Sequence, residues 1–241
     1  MIQQGKTANR GDRFLVLYNQ LVDYFRARVE ADEWVTFSAL VKEISIGNSA
    51  VRYHKRQLLK YGELRNAIVH SKTYPDVSIA DPHDDTLADF ERITEAILAP
   101  TKLATQFQKN IRVFDGDEPL VDALRYMKAN NFSQVVVRAD GRLRLLTTEG
   151  VTEWLASQAD ADIISVRDAR VGDALAFDTP DRMLLMRGDR TVFDAYAAFI
   201  PTKAQPRLYA IIVTHNGKTH EVPLGLVTPW DVLQEPSATS S

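Results

Sequence analysis

Two stretches of the chain carry side chains whose types and spacing could support chemistry, and the first lies between Gly62 and Lys72. Arg65, Asn66 and His70 stand close together there, near the end of a basic segment with helical periodicity. Arginine is a permanent cation whose planar donors fit phosphate oxygens, and histidine can transfer a proton near neutral pH. The three residues therefore predict a site that could cleave RNA without a metal ion.

The pattern of Arg65, Asn66 and His70 between long amphipathic segments resembles the HEPN (higher eukaryotes and prokaryotes nucleotide-binding) domain, over residues 12–98. The resemblance implies a helical domain and, in catalytic members, a ribonuclease that works as a dimer. Arg65 would hold the scissile phosphate and His70 would transfer a proton while the RNA 2′-hydroxyl attacks. Asn66 would orient the site, and the product would carry a 2′,3′-cyclic phosphate.

The spacing of Arg65 and His70 bears on assembly. Residues five apart on one ideal helix point roughly 140° away from each other. Within a single chain the two side chains therefore point to different places. A two-fold homodimer, which would bring Arg65 of one chain and His70 of the other to one cleft, is expected. The alternative is an ordinary helix end, at which His70 caps carbonyl groups and Arg65 forms a salt bridge.

The second stretch runs from Gly225 to Leu233 and contains Thr228 and Asp231. A hydroxyl group and backbone amides at a helix N-terminus attract phosphate, and a carboxylate one turn further on can accept hydrogen bonds from a ribose diol. Thr228 and Asp231 are therefore candidate nucleotide-binding residues. The alternative is that Thr228 is a helix N-cap and Asp231 a first-turn acid that interacts with the helix dipole.

An internal repeat surrounds this second stretch. Residues 117–124 and 189–196 are matching helix starts, and each is followed by a strand, a turn ending in Gly141 or Gly217, a second strand and a helix. In this alignment the stretch from Thr148 to Val151 corresponds to that from Thr228 to Asp231, so the first copy lacks the carboxylate.

The repeat resembles a tandem pair of cystathionine-β-synthase-type (CBS) domains, with copies at residues 101–163 and 164–236. The resemblance implies that the pair binds an adenine nucleotide as a regulatory ligand, with one competent site. The alternative is that the pair binds no nucleotide and serves only in dimerisation or interaction, as many such modules do.

The residues before 101 have apolar positions at helical spacing. Four helices are predicted: one capped by Asp12, one over residues 36–46, one from about Ser49 toward His70, and one with Asp81 as N-cap and Pro82 at its first position. Short connections favour an up-and-down bundle. The predicted fold is thus multidomain, an all-α HEPN-like bundle (12–100) followed by an α+β tandem CBS module, with flexible ends at 1–11 and 237–241.

Composition excludes several classes of function. Cysteine is absent, which excludes disulfides and thiol catalysis, and no histidine pair has metal-ligand spacing, so neither a metal site nor a catalytic cofactor is expected. No apolar run approaches membrane-spanning length, so the protein is expected to be cytoplasmic, without a membrane partner. Residues 1–70 hold 11 Lys and Arg against 7 Asp and Glu, which favours a polyanionic partner such as RNA.

Two other function classes stay open. Residues 37–54 are compatible with a helix-turn-helix with a basic recognition helix, which would make the protein a ligand-responsive DNA-binding regulator. In that case the third helix should end near Gly62 and precede a wing hairpin, whereas the bundle needs the helix to continue through Ile68. The remaining class is a non-catalytic scaffold or partner protein.

Overall fold

The computed structural model describes residues 9–70, 72–73, 77–78, 81–159, 165–203 and 207–233. The chain divides between Thr101 and Lys102 into a helical unit and an α/β unit. Each unit has its own core and is described separately below. Within the described ranges, no helix is both long enough and apolar enough to cross a membrane.

The helical unit contains four helices and a small hairpin. The helices are α1 (Arg10–Val29), α2 (Phe37–Gly47), α3 (Ser49–His70) and α4 (Asp84–Leu98), and the antiparallel strands β1 (Lys72–Thr73) and β2 (Val77–Ser78) connect α3 to α4. An aromatic cluster of Phe14, Tyr18, Phe25, Phe37, Tyr61 and Phe90 forms much of the core. The Phe14 ring lies 4.6 Å from that of Phe90, a separation typical of packed aromatic pairs.

The first two helices begin at side-chain caps. The Asn9 side chain accepts a hydrogen bond from the Gly11 amide at 3.4 Å, and Thr36 accepts one from the Ala39 amide at 3.3 Å. Asp12, predicted as the cap of the first helix, instead lies within the first turn. A carboxylate there still interacts favourably with the helix dipole, which explains why the sequence pattern suggested a helix start.

Asp81 also differs from its prediction. Helix α4 begins at Asp84, and its N-cap residue His83 makes no side-chain cap. The Asp81 carboxylate instead accepts a hydrogen bond from the Gly11 amide at 3.2 Å and forms an ion pair with Arg10 at 2.8 Å. Asp81 and Asn9 therefore share the Gly11 amide at the start of α1, and Asp81 does not cap its own helix.

The length of α3 matches the bundle prediction. The helix continues past Gly62 and through Ile68 to His70, which the DNA-binding alternative did not expect. The hairpin of β1 and β2 that follows is nevertheless a feature that this alternative did expect. The helix length favours the bundle, because a recognition helix would have ended before Ile68.

The α/β unit repeats one arrangement twice. Its elements are α5 (Leu103–Gln106), β3 (Val113–Asp115), α6 (Leu120–Asn130), β4 (Gln134–Ala139), β5 (Arg142–Thr147), α7 (Thr148–Ser157), α8 (Val171–Leu175), a 3-10 turn (Pro180–Arg182), β6 (Met183–Arg187), α9 (Val192–Phe199), β7 (Ala210–Thr214), β8 (Pro223–Val227) and α10 (Pro229–Leu233). We call β3 to α7 the first copy and β6 to α10 the second copy. In each copy the middle strand pairs in parallel with the first strand and antiparallel with the third.

The two copies exchange their leading segments. Leu103 and Phe107, which precede the first copy, are buried in the core of the second. Val171 and Leu175, which precede the second copy, are buried in the core of the first. A third cluster around Val136, Leu143 and Ile212 joins the two sheets. The core of each copy is therefore completed by the segment that precedes the other copy. The domain boundary between residues 163 and 164 stays a prediction.

Candidate functional site

Thr228 and Asp231 lie together where β8 leads into α10. One oxygen of the Asp231 carboxylate, Oδ2, accepts hydrogen bonds from the Thr228 amide and from the Thr228 hydroxyl, both at 2.7 Å. The other oxygen, Oδ1, accepts no hydrogen bond from the described residues. Asp231 thus helps to cap its helix with one oxygen, while the other has no partner among the described residues.

The two residues line a cleft of about 440 Å³ whose walls come from both copies. The segment that leads into β3 contributes Lys109, Ile111 and Arg112 to the walls. The start of β4 contributes residues 134–136. The floor is apolar and includes Leu226. The Trp230 side chain stands at the rim, 76% exposed. Apolar walls with a few polar groups are typical of small-molecule sites.

Gly225 allows the two walls to approach each other. A Cβ atom at this position would overlap the carbonyl oxygen of Phe107. The Lys109 amide donates a hydrogen bond to the Leu224 carbonyl at 3.0 Å, which fixes the same segment against β8. The glycine is therefore required by a close backbone approach.

Arg112 is held at the cleft wall by aromatic rings. Its guanidinium lies 4.1 Å from the Phe114 ring centroid and 5.3 Å from that of Tyr126. The Arg112 Nη2 atom is 3.4 Å from Glu118 Oε2, in a partly exposed ion pair. Such pairs contribute little free energy, so the contact with Glu118 does not commit the charge of Arg112.

The first copy has a different residue at the matching position. Val135 pairs with Leu146 in one sheet, and its counterpart Ile211 pairs with Val227 in the other, so the residues that follow, Thr147 and Thr228, correspond to each other. Gly150, not Val151, therefore stands where the second copy has its carboxylate. The predicted alignment of Thr148 and Val151 was wrong by one residue, and Val151 is buried in the core.

Asp178 supplies the missing carboxylate from outside the first copy. Its Oδ2 atom accepts a hydrogen bond from the Thr147 amide at 2.8 Å, and its Oδ1 atom accepts one from the Thr147 hydroxyl at 2.7 Å. A Cβ atom at Gly150 would overlap this carboxylate. Burial raises the pKa of Asp178, although the two bonds from Thr147 oppose that shift.

The cleft beside Asp178 is small, about 250 Å³, and side chains that contact one another line it. Arg182 Nη1 lies 3.1 Å from Glu149 Oε2, and the Tyr209 hydroxyl contacts both side chains. The Arg182 guanidinium also lies 4.8 Å from the Tyr209 ring centroid. The cleft beside Asp178 is therefore smaller than the cleft of Thr228 and Asp231, and Glu149 and Arg182 in its wall are paired with each other.

The helical unit brings Arg65 and Asn66 together. Arg65 Nη1 lies 3.4 Å from Asn66 Oδ1, and the Arg65 guanidinium lies 5.7 Å from the Tyr18 ring centroid. His70 is the last residue of α3, but its side chain lies outside the described residues. The predicted grouping of three side chains thus stays a prediction for His70.

Potential metal ligands do not cluster. Among the described residues, no group of three or more His, Asp or Glu side chains is arranged to hold a metal ion. His54 is a core residue next to Tyr53, and its burial lowers its pKa to about 4. A neutral imidazole in that position contributes to packing.

Comparison with known families assigns part of the α/β unit. Residues 105–147 match the family model of the CBS domain. The match supports a CBS domain in this segment. The cleft residues Lys109 and Arg112 belong to it, whereas Thr228 and Asp231 lie beyond the matched residues.

Solved structures of CBS proteins resemble the chain. A hexameric CBS-CP12 protein from bloom-forming cyanobacteria is 16% identical, with 56% of this chain and 72% of that chain covered and a TM-score of 0.42. CBSX2 in complex with AMP is 19% identical, with coverages of 55% and 93% and a TM-score of 0.40. Hypoxic Response Protein I with two coordinated zinc ions is 15% identical, with coverages of 56% and 98% and a TM-score of 0.41. No curated protein matches the chain.

Sequence reasoning missed the cleft residues of the CBS domain and the cap at Asp178. Lys109 and Arg112 lie in an irregular segment, where their charge was the one available signal. Asp178 acts on a residue 31 positions away, so no local spacing identifies it. A glycine at the first-copy position was the indirect signal, because it leaves room for a carboxylate from elsewhere.

Proposed function

We propose that residues 101–236 form a tandem CBS pair that binds one adenine nucleotide in the cleft of Thr228 and Asp231. The observation that carries the proposal is the uncommitted Oδ1 atom of Asp231 at the mouth of a cleft with cationic and aromatic walls. The family match to residues 105–147 supports it. The complex of CBSX2 with AMP supports the choice of an adenine nucleotide.

The chemistry of each wall suggests how the nucleotide would lie. The Asp231 carboxylate would accept from the ribose hydroxyls, while the Thr228 end of α10 and the cations Lys109 and Arg112 would attract phosphate. The base would lie on the apolar floor beside Trp230. One site per pair is proposed, because both oxygens of Asp178 accept hydrogen bonds from Thr147 and the related cleft is smaller.

Calorimetry with AMP, ADP, ATP and GMP tests the proposal. We expect wild type to bind an adenine nucleotide and Asp231→Ala to lose about tenfold or more in affinity, since hydrogen bonds to a charged group are worth about 1.5–3 kcal/mol. Asp194→Ala is the matched control, because Asp194 forms the same cap with Thr191 in α9. Absence of binding by wild type, or equal affinity in Asp231→Ala, would contradict the proposal.

We propose further that the helical unit is a HEPN-type endoribonuclease regulated by this nucleotide. The observation favouring it is that α3 continues to His70 and carries a half-buried Arg65 whose Nε atom has no acceptor among the described residues. Cleavage of total RNA in the presence of EDTA tests it, and Arg65→Ala and His70→Ala should each abolish the activity. If wild type leaves RNA intact with and without nucleotide, the scaffold or DNA-binding alternative is favoured instead.

A homodimer is part of the same proposal. Residues five apart on one continuous helix point roughly 140° away from each other, so a second chain would be needed to bring Arg65 and His70 to one cleft. Light scattering of the purified protein at micromolar concentration tests this assembly. A monomeric mass there would rule out the composite site.

A further inference from the structure

A cleft of about 770 Å³ opens within the helical unit, between α1, the segment before α2, and α3. Its walls include Tyr18 and Arg26 of α1, Trp34 of the connecting segment, and Arg65 of α3. Arg65 is shared with the proposed ribonuclease site, while Arg26 and Trp34 belong to no site described above.

Two guanidinium groups in this cleft have unused donors. The Nε atoms of Arg26 and Arg65 are both buried, and neither has an acceptor among the described residues. Burial raises the pKa of Tyr18, and the charges of Arg65 and Arg26 oppose that rise, so both cations act on the same phenol. Two guanidinium groups that line one cleft are suited to an anionic ligand.

Three other charged side chains line the cleft and affect its net charge. Lys42 adds a third cation, whereas Glu33 and Glu63 are the acidic side chains that line the cleft. Arg26 Nη2 donates to the Glu33 main-chain carbonyl at 2.8 Å and not to its carboxylate. Neither acid forms an ion pair with the two arginines, so the cationic charge stays available for a ligand.

Trp34 provides a flat apolar surface at the same cleft. Its side chain is 91% exposed, which leaves almost the whole indole in water. Cationic grooves flanked by exposed aromatic rings are the arrangement with which proteins bind single-stranded nucleic acid, since the bases stack on the rings and the cations bind the phosphates. The same residues would suit a duplex poorly, because its bases are already stacked.

We propose that this cleft binds an unpaired nucleotide of single-stranded RNA, with a phosphate on Arg26 and Arg65 and a base stacked on Trp34. The inference rests on the proposed ribonuclease function for the choice of RNA. Arg26 and Trp34 act as binding residues that position the strand relative to Arg65. Binding by itself needs no bond cleavage.

Fluorescence anisotropy with a short labelled 2′-O-methyl oligoribonucleotide tests the inference. The methyl group blocks the attacking hydroxyl, so the probe reports binding without cleavage. We expect wild type to bind the probe, and Trp34→Ala and Arg26→Met each to weaken binding by about tenfold. Trp34→Phe keeps an aromatic ring and should retain most of the affinity, a difference that a loss of folding would not produce.

Matched controls separate the cleft from general charge and exposure. Arg28→Ala removes an arginine of α1 that lies over the Tyr24 ring and not in the cleft. Ile46→Ala removes an exposed apolar side chain of the helical unit that does not line the cleft. Both should bind the probe as wild type does, and equal weakening in Arg28→Ala and Arg26→Met would overturn the inference.

A competition arm identifies the form of the ligand. Unlabelled oligoribonucleotide should displace the probe at far lower concentration than free AMP, because a strand offers several phosphates and bases. Equal competition by AMP, or no binding of the probe by wild type, would overturn the inference. Retained probe binding in a protein that never cleaves RNA would refute the ribonuclease proposal and leave the binding site standing.

Discussion

The carboxylate of Asp178 accepts two hydrogen bonds from Thr147, one from its backbone amide and one from its hydroxyl. In the second copy, Thr228 makes the same two bonds to Asp231, which lies three residues further along the chain. The first copy thus obtains from a distant segment the cap that the second copy contains within its own helix.

The first prediction concerns the stability of this cap. Asp178→Ala leaves the Thr147 amide without its acceptor and should lower the free energy of unfolding of the α/β unit by about 1–2 kcal/mol. Urea unfolding followed by circular dichroism measures the change. Asp181→Ala, which removes an exposed acid of the neighbouring turn, should have almost no effect. Equal stability of Asp178→Ala and wild type would show that the cap contributes nothing.

The second prediction concerns moving the carboxylate that binds Thr147 from position 178 to position 150. Gly150→Asp alone should be destabilising, because its side chain overlaps Asp178. The double variant Gly150→Asp/Asp178→Ala rebuilds the arrangement of Thr228 and Asp231 and should recover much of the stability that each single change loses, which a double-mutant cycle quantifies. Strict additivity of the two losses would contradict the shared position.

Val151→Asp provides the contrast to this exchange. Val151 is a core residue of the first copy, so a carboxylate there would be buried without a partner. This change should destabilise the unit strongly and create no ligand site.

The third prediction concerns the approach of two backbones at the open cleft. Gly225→Ala places a methyl group against the Phe107 carbonyl and should displace the segment that carries Lys109 and Arg112. The affinity for adenine nucleotide should fall several-fold in calorimetry. Gly47→Ala is the control, since nothing lies near a Cβ at that position. Unchanged affinity in Gly225→Ala would exclude that segment from the site.

The fourth prediction concerns pH. Burial, with a smaller effect from the charge of Arg92, lowers the pKa of His54 from 6.5 to about 4 in the folded state. A group with a lowered folded pKa binds more protons when unfolded, so its contribution is fully present above pH 6.5 and is lost as the pH falls toward 4. Acidification across this range should cost the helical unit up to about 3 kcal/mol.

Unfolding at several pH values checks this expectation. His54→Leu should show a shallower loss of stability with falling pH than wild type, because it removes the titrating group. His215→Ala removes an exposed histidine and should follow the wild-type curve. Parallel curves for wild type and His54→Leu would mean that other groups govern acid unfolding.

The fifth prediction concerns the composite ribonuclease site. Arg65→Ala and His70→Ala homodimers should both be inactive, yet a mixture allowed to exchange subunits should recover part of the activity. The recovery arises because one of the two clefts in a mixed dimer then contains an intact arginine and an intact histidine. Cleavage assays on the mixture measure it, and a mixture as inactive as its components would exclude a shared site.

The sequence predicted features that depend on local spacing. The pairing of Thr228 with Asp231 follows from a capping pattern within four residues, and the continuity of α3 follows from its apolar periodicity. The duplicated order of strands and helices was also predictable, because both turns carry glycines with positive φ. Each of these features is determined by neighbouring residues.

Features that depend on tertiary contact were not predictable in the same way. The Asp81 carboxylate lies in a pattern typical of an N-cap, but the amide that it satisfies belongs to α1. Two consecutive threonines, Thr147 and Thr148, made the strand end ambiguous, and the register was resolved by pairing with β4. The convergence of Arg26 and Arg65 required the packing of α1 against α3.

The exchange of leading segments between the two copies bears on whether each copy can fold alone and on how the repeat arose. Phe107 and Leu175 would each lose their packing partners if the chain were cut between the copies, so each half expressed alone should expose apolar surface and aggregate. A solitary ancestral repeat built in this way would have been complete only by trading that segment with a second chain. Gene duplication and fusion would then have turned an exchange between molecules into an internal one.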